Sequence, residues 1–380
     1  MYVPPRFLGI LLIALCVGTF IFFSPHLLRI IRFVKGDLAR IIADIKTEDT
    51  KQAFLRLLNQ HRQDATASVS FFQNNYEKFG PKVMLDALNK DPLCHARAHN
   101  LGRVIYEHTQ DLAQAVTICQ NKCGAGCIHG VLMQLFESEH NNKPGIRSAN
   151  QDPSPKDFSQ DLKNRVANMC TDSTITRYTG IGNCYHAVGH ALAALAGYNI
   201  PESIELCGIF KKYGIGAVYY CATGVYMERD ISMSIQDSKT PSDPLYPCNK
   251  FEFAAACFRY KVRRLYKLPE QYEQATQTCL SLTGIERHGC FHGLGFGGFS
   301  MVYKNPPSLN TLCGAGDEED KRMCIEGAFG FINLYNTNIS SAACEAYTVG
   351  KKEICIEALD IRNFGMERDF KRYSIDSSAN

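Results

Sequence analysis

The chain is predicted to be all-α: an α/α solenoid of about eight disulfide-stapled helical hairpins behind an N-terminal transmembrane helix. Three observations carry this reading. Cysteines recur at a spacing near 34 residues, helical apolar runs stand between them, and Phe7 to Phe23 holds no charge across 17 residues. Hydrophobic content of 45% excludes a disordered chain, and Lys+Arg 41 against Asp+Glu 38 gives no whole-chain case for a nucleic-acid partner.

The uncharged stretch 7–23 is long enough for a minimal membrane helix and longer than most signal-peptide cores of about 7–15 residues. Ser24-Pro25 follows it in place of a small-x-small cleavage site, and Leu15 precedes Cys16 where a lipoprotein signal needs a small residue. An uncleaved anchor is therefore expected, which makes the membrane one partner. Charge and sulfur disagree on orientation. Arg29, Arg32, Lys35 and Arg40 outweigh Arg6, which favours a cytoplasmic body. Setting Cys16 aside leaves 16 regularly spaced cysteines, which suit disulfides that persist outside the reducing cytosol. The sulfur pattern decides for an extracytoplasmic body, whether periplasmic, extracellular or lumenal.

Four segments are expected: the anchor (1–25), a helical stalk and cap (26–90), the cysteine-rich repeats (91–365) and a polar tail (366–380). In the stalk, Leu28, Ile31, Leu38, Ile41, Ile42 and Ile45 recur with helical period, and helical patterns continue through Phe54–Leu58 and Val83–Leu88.

From Cys94 onward one set of cysteines opens apolar, small-residue-rich runs: Cys94, Cys127, Cys184, Cys221, Cys257, Cys290, Cys324 and Cys355. Their separations of 33, 57, 37, 36, 33, 34 and 31 give the period of a helix–turn–helix solenoid, with one long interval. That interval holds a polar loop at 141–160, and a second loop is expected at 232–247, where three prolines cluster. Each opener after the first has an upstream partner: Cys119, Cys170, Cys207, Cys248, Cys279, Cys313 and Cys344. Each repeat thus reads as a first helix ending in cysteine, a turn, and a second helix beginning with cysteine, with a bond stapling the two. Cys94 and Cys123 remain and would pair with each other, although three connectivities among Cys94, Cys119, Cys123 and Cys127 stay open. A rival reading takes Cys119, Cys123 and Cys127, at i, i+4 and i+8, with His129 as a zinc site.

The segments Ala115 to Cys119 with Gly126-Cys127-Ile-His-Gly130, and Ala275 to Cys279 with Gly289-Cys290-Phe-His-Gly293, resemble the disulfide-stapled Sel1-like repeats of secreted bacterial cysteine-rich proteins, relatives of the tetratricopeptide fold. The resemblance is one of architecture over about residues 94–365. It implies a right-handed α/α superhelix that binds a protein or peptide. The leucine-glycine and tyrosine positions of the family's second helix are mostly absent, and the repeated histidines after the cysteines are not accounted for by it.

Those histidines are the sharpest functional signal. Six of 11 lie within six residues after an opener: His95, His99, His129, His186, His190 and His292. Two residues after the cysteine the series runs His129, His186, Thr223, Tyr260 displaced by one, His292, Glu326 and Glu357, a row along stacked repeats. His95/His99 and His186/His190 stand four apart on one helical face, so both imidazoles of a pair can reach one ion. With Glu137, Glu228, Glu326 or Glu357 added, these residues form a candidate site for a divalent transition metal such as zinc, iron or manganese. The competing reading has the histidines bonding neighbouring turns and packing on glycine.

Glycines including Gly130, Gly189, Gly224, Gly295 and Gly327 lie within the second helices, where each costs about 1 kcal/mol relative to alanine. Close helix packing is the expected reason. Gly293-Leu-Gly295-Phe-Gly297-Gly298 matches the dinucleotide fingerprint formally but lacks its preceding strand. No G-x-S-x-G elbow is present, and the basic stripe around Arg259, Lys261 and Arg263 reads as a solvated helix face. Two functions follow as expectations. The first is a membrane-anchored extracytoplasmic scaffold that binds a protein, peptide or envelope component. The second is a metal-binding protein or metal-dependent enzyme built on the histidines.

Overall fold

The computed structural model describes residues 48–60, 68–89, 94–141, 160–236, 245–265, 271–334 and 336–361, and every regular element among them is helical. The chain divides into two units, 1–60 and 61–380. The expected anchor (7–23), the stalk segments 26–47 and 61–67, and the tail (366–380) lie outside the described residues. Among those that are described, no helix is long and apolar enough to cross a membrane. The first unit contributes helix α1 (48–60). Its first turn is tied by Gln52, whose amide donates to Glu48 Oε1 at 2.8 Å.

The second unit opens with α2 (Val69–Phe79) and α3 (Pro81–Leu88), which meet at Gly80. Ser68 Oγ caps α2 by accepting from the Phe71 amide, and Gly80 at φ 74 closes it. Pro81 then starts α3, where its missing N–H costs nothing. The long helices that follow are α4 (Cys94–Thr109), α6 (Gly126–Asn141), α9 (Ile181–Leu195), α11 (Ile215–Gln236), α12 (Ala254–Leu265), α14 (Gly284–Lys304) and α16 (Glu318–Ile332). Shorter helices precede or follow them: α5 (Leu112–Cys119), α7 (Gln160–Met169), α8 (Ser173–Thr179), α10 (Ile200–Cys207), α13 (Gln271–Leu280), α15 (Leu309–Leu312), α17 (Thr337–Glu345) and α18 (Lys352–Glu357).

All 16 cysteines from Cys94 onward are paired. Seven bonds join each first member to its opener: Cys119–Cys127, Cys170–Cys184, Cys207–Cys221, Cys248–Cys257, Cys279–Cys290, Cys313–Cys324 and Cys344–Cys355. Cys94 pairs with Cys123. The rival zinc site at Cys119, Cys123 and Cys127 is therefore corrected, since all three sulfurs are bonded to other sulfurs and offer no thiolate.

Three local expectations are also corrected. Cys94 opens α4 and Cys127 is the second residue of α6, but other openers sit inside their helices: Cys221 lies in α11, which begins at Ile215, and Cys324 in α16, which begins at Glu318. In α16 the chain turns earlier because Asp317 supplies a capping box one to two turns before the sulfur. Cys248 ends no helix but lies in the turn 245–250, where Pro247 removes an amide donor. The loop expected from Ser232 begins later, because α11 runs on to Gln236.

The second helices pack on one another in chain order: α4 on α6, α6 on α9, α9 on α11, α11 on α12, α12 on α14 and α14 on α16. Glycine sets their approach. A Cβ on Gly130 would stand 1.8 Å from the His99 carbonyl oxygen, and one on Gly102 would stand 2.0 Å from that of Cys127. The same reciprocal contact joins Gly224 to His186 and Gly189 to Cys221, then Gly327 to His292 and Gly295 to Cys324. The expected reason for these glycines holds: backbone lies against backbone. The formal fingerprint at 293–298 is interior to α14 and follows no strand.

Candidate metal centre

Helical geometry explains why the residue two after each cysteine is special. Two residues turn the helix by about 200°, so the cysteine faces its own first helix and the second residue faces the opposite side. That side is where successive second helices meet. His129, His186, Thr223 and Glu326 are fully buried in this frame, and His292 is 1% exposed. The residue two after Cys257 is Arg259, itself 1% exposed, so the row carries a guanidinium where the sequence reading placed Tyr260. Glu357 ends the row in solvent, bonded to Arg322 at 2.7 Å.

Five of the six expected histidines converge. His95 and His99 come from α4, His129 from α6, and His186 and His190 from α9, and Glu228 of α11 joins them. Donor atoms of three sets lie within 4.8 Å of one another: His95/His99/His129, His129/His186/His190 and His99/His190/Glu228. His292 belongs to none of these sets, since its helix packs on α12 and α16 further along the row. Of the four candidate carboxylates only Glu228 takes part. Glu137 instead accepts from Arg103 at 2.6 Å.

Hydrogen bonds fix which ring nitrogen carries the proton. His95 Nδ1 lies 2.9 Å from the Cys123 carbonyl oxygen, which can only accept, so Nδ1 donates and Nε2 keeps its lone pair. His190 Nδ1 likewise donates to Glu228 Oε2 at 2.7 Å. His186 Nδ1 is 2.8 Å from Thr223 Oγ1, whose own proton goes to the Tyr220 carbonyl, so the hydroxyl accepts from His186. Three imidazoles are thereby held in the tautomer with Nε2 bare. Carbonyl, hydroxyl and carboxylate acceptors behind the ring are the partners that orient metal-ligating histidines.

The ring nitrogens approach one another in the cluster. His186 Nε2 and His190 Nε2 are 3.0 Å apart, His95 Nε2 and His99 Nε2 3.2 Å, and His99 Nε2 and His129 Nδ1 3.3 Å. Two neighbouring ligands of one ion at a bond length of about 2.0–2.1 Å are separated by roughly 3.0 Å in octahedral and 3.4 Å in tetrahedral geometry. Between the two bare Nε2 atoms of His186 and His190 there is no proton to share in the neutral state, so a cation relieves their repulsion. His129 Nε2 is enclosed and has no hydrogen-bond partner.

Burial first, and then the neighbouring imidazoles, hold the pKa values of His99, His129 and His186 well below 6.5. The Arg259 guanidinium adds to the effect on His186. Neutral imidazole is the metal-binding form, so the centre is preset for a ligand role. These depressed values also make the metal-free fold acid-sensitive. The unfolded chain binds protons at these three sites near pH 6.5 while the folded chain does not, so stability is complete above about pH 6.5 and falls below it. The loss is up to about 4 kcal/mol over one pH unit for the three together. Chemical denaturation of chelator-treated protein at about pH 7.5 and 5.5 measures this, and equal midpoints would contradict it.

Access is narrow. The donors with residual exposure are His95 and His99 at 8% and Glu228 at 5%. What the sequence reading did not identify is the acceptor layer: Thr223 and the Cys123 carbonyl. Cys123 sits in a turn where Gln120, Cys123 and Ala125 all have φ between 50 and 62. No family model matches the chain, and comparisons with curated proteins and with solved structures find no match.

Proposed function

We propose that this protein binds a divalent transition metal at the histidine cluster. The observation that carries the reading is the set of three Nδ1–H donors of His95, His186 and His190, each held by a protein acceptor while Nε2 points into the cluster. Imidazole and carboxylate donors with no free thiolate suit zinc, copper, iron or manganese over calcium or magnesium. A triad such as His129/His186/His190 leaves positions for water or a small substrate, which is how catalytic sites differ from closed structural ones. The scaffold alternative expects polar residues spread along an accessible groove, whereas five histidines here are packed together and almost fully enclosed.

Eight disulfides support an oxidising compartment for this domain. With residues 7–23 as anchor, the reading becomes a membrane-held extracytoplasmic metal protein whose stapled Sel1-like repeats keep the ligands in place. Metal analysis of purified protein after equilibration with zinc, copper or iron tests it. Stoichiometric metal in the wild type and a lower metal content in His186→Ala/His190→Ala are expected; negligible metal in the wild type removes the reading.

A further inference from the structure

We propose that the centre holds two transition-metal ions, with His129 as the ligand common to both; this rests on the metal-binding reading above. Five histidines exceed the four donors that a tetrahedral ion takes, and they divide along the helices. His95/His99 on α4 and His186/His190 on α9 each present an Nε2–Nε2 edge, at 3.2 and 3.0 Å. Helix α6 packs on both α4 and α9, and it carries His129 between the two pairs. The His129 ring centroid lies 5.0 and 5.2 Å from those of His95 and His99, and 5.4 and 4.7 Å from those of His186 and His190. His129 is the one residue shared by the two all-histidine sets. Its Nδ1 faces His99 at 3.3 Å while its Nε2 is enclosed without a hydrogen-bond partner, so the ring can ligate both ions as an imidazolate, its single N–H proton passing to solvent as the second ion binds.

The third donor set spans the divide. It takes His99 from one pair, His190 from the other, and Glu228. Glu228 Oε2 accepts from His190 Nδ1–H at 2.7 Å, so the carboxylate orients that ring and balances charge beside the two halves. Two edges of histidines and one shared imidazole are the elements of a dinuclear centre. Three disulfides anchor it, since His95 follows Cys94 directly and His129 and His186 stand two residues after Cys127 and Cys184.

Native mass spectrometry and elemental analysis of zinc-titrated, disulfide-intact protein test the count. Two zinc ions per wild-type chain are expected, with one retained in His186→Ala/His190→Ala and one in His95→Ala/His99→Ala. Circular dichroism melts would confirm that each variant is folded. His129→Ala is expected to weaken both sites. One ion in the wild type, abolished by both double variants, would overturn the dinuclear assignment while leaving the metal reading intact. Loss of both ions in either folded double variant would overturn the division into halves. No zinc in the wild type would remove the underlying reading itself. Copper loading gives a second readout: paired Cu(II) ions couple and lose EPR intensity, whereas a single ion shows the full signal of one spin.

Discussion

Glu228→Ala is expected to weaken metal binding roughly 10–100-fold, the usual cost of losing the partner that orients a ligating histidine. Two effects act together. The His190 Nδ1–H loses the acceptor at 2.7 Å that fixes its tautomer, and a charge balancing the cation leaves a nearly dry site. Glu228→Gln separates them. Its amide oxygen still accepts from His190 Nδ1–H, so the orientation survives while the charge does not, and its affinity should fall between wild type and alanine. Thr223→Val applies the same logic to His186, removing the acceptor at 2.8 Å while keeping the volume, and about a tenfold loss is expected. Competition with a chromophoric chelator at fixed pH measures all three. Affinity unchanged in Glu228→Ala would mean that His190 is not a ligand held by this carboxylate.

These variants also mark where sequence reading stopped. The His95/His99 and His186/His190 pairs were legible because a spacing of four puts two side chains on one face whatever the surroundings. The seven hairpin staples were legible because short cysteine separations recur with the repeat. The convergence of α4, α6, α9 and α11 was not legible, since periodicity orders repeats along the chain without fixing which members of a row meet. His292 shows the difference: it occupies the same frame as His129 and His186 yet joins none of the donor sets. Glu228 was one carboxylate among four, distinguished only by the helix that carries it past His190. The Cys123 carbonyl could not be read at all, because a backbone acceptor has no residue type. It faces His95 through a turn of left-handed residues tied to α4 by the bond to Cys94.

Gly130→Ala and Gly224→Ala are expected to destabilise the domain by about 3 kcal/mol each, against the usual helix preference for alanine of about 1 kcal/mol. The sign reverses because the added Cβ would lie 1.8 Å from the His99 carbonyl oxygen in one case and 1.9 Å from that of His186 in the other. Both obstacles are backbone inside helices, so neither can swing aside as a side chain would, and whole helices must separate. Since His99 and His186 belong to the cluster, that separation also moves ligands, and metal affinity should fall with stability. Gly208→Ala supplies the contrast. Gly208 has φ −57, and its nearest obstacle is the flexible Lys211 side chain at 3.5 Å, so alanine there should be neutral or slightly stabilising. Urea denaturation and zinc titration of the three variants check the pattern. A stabilised Gly130→Ala or Gly224→Ala would mean that the helices do not approach this closely, and the histidines of α4, α6, α9 and Glu228 of α11 could not then share one centre.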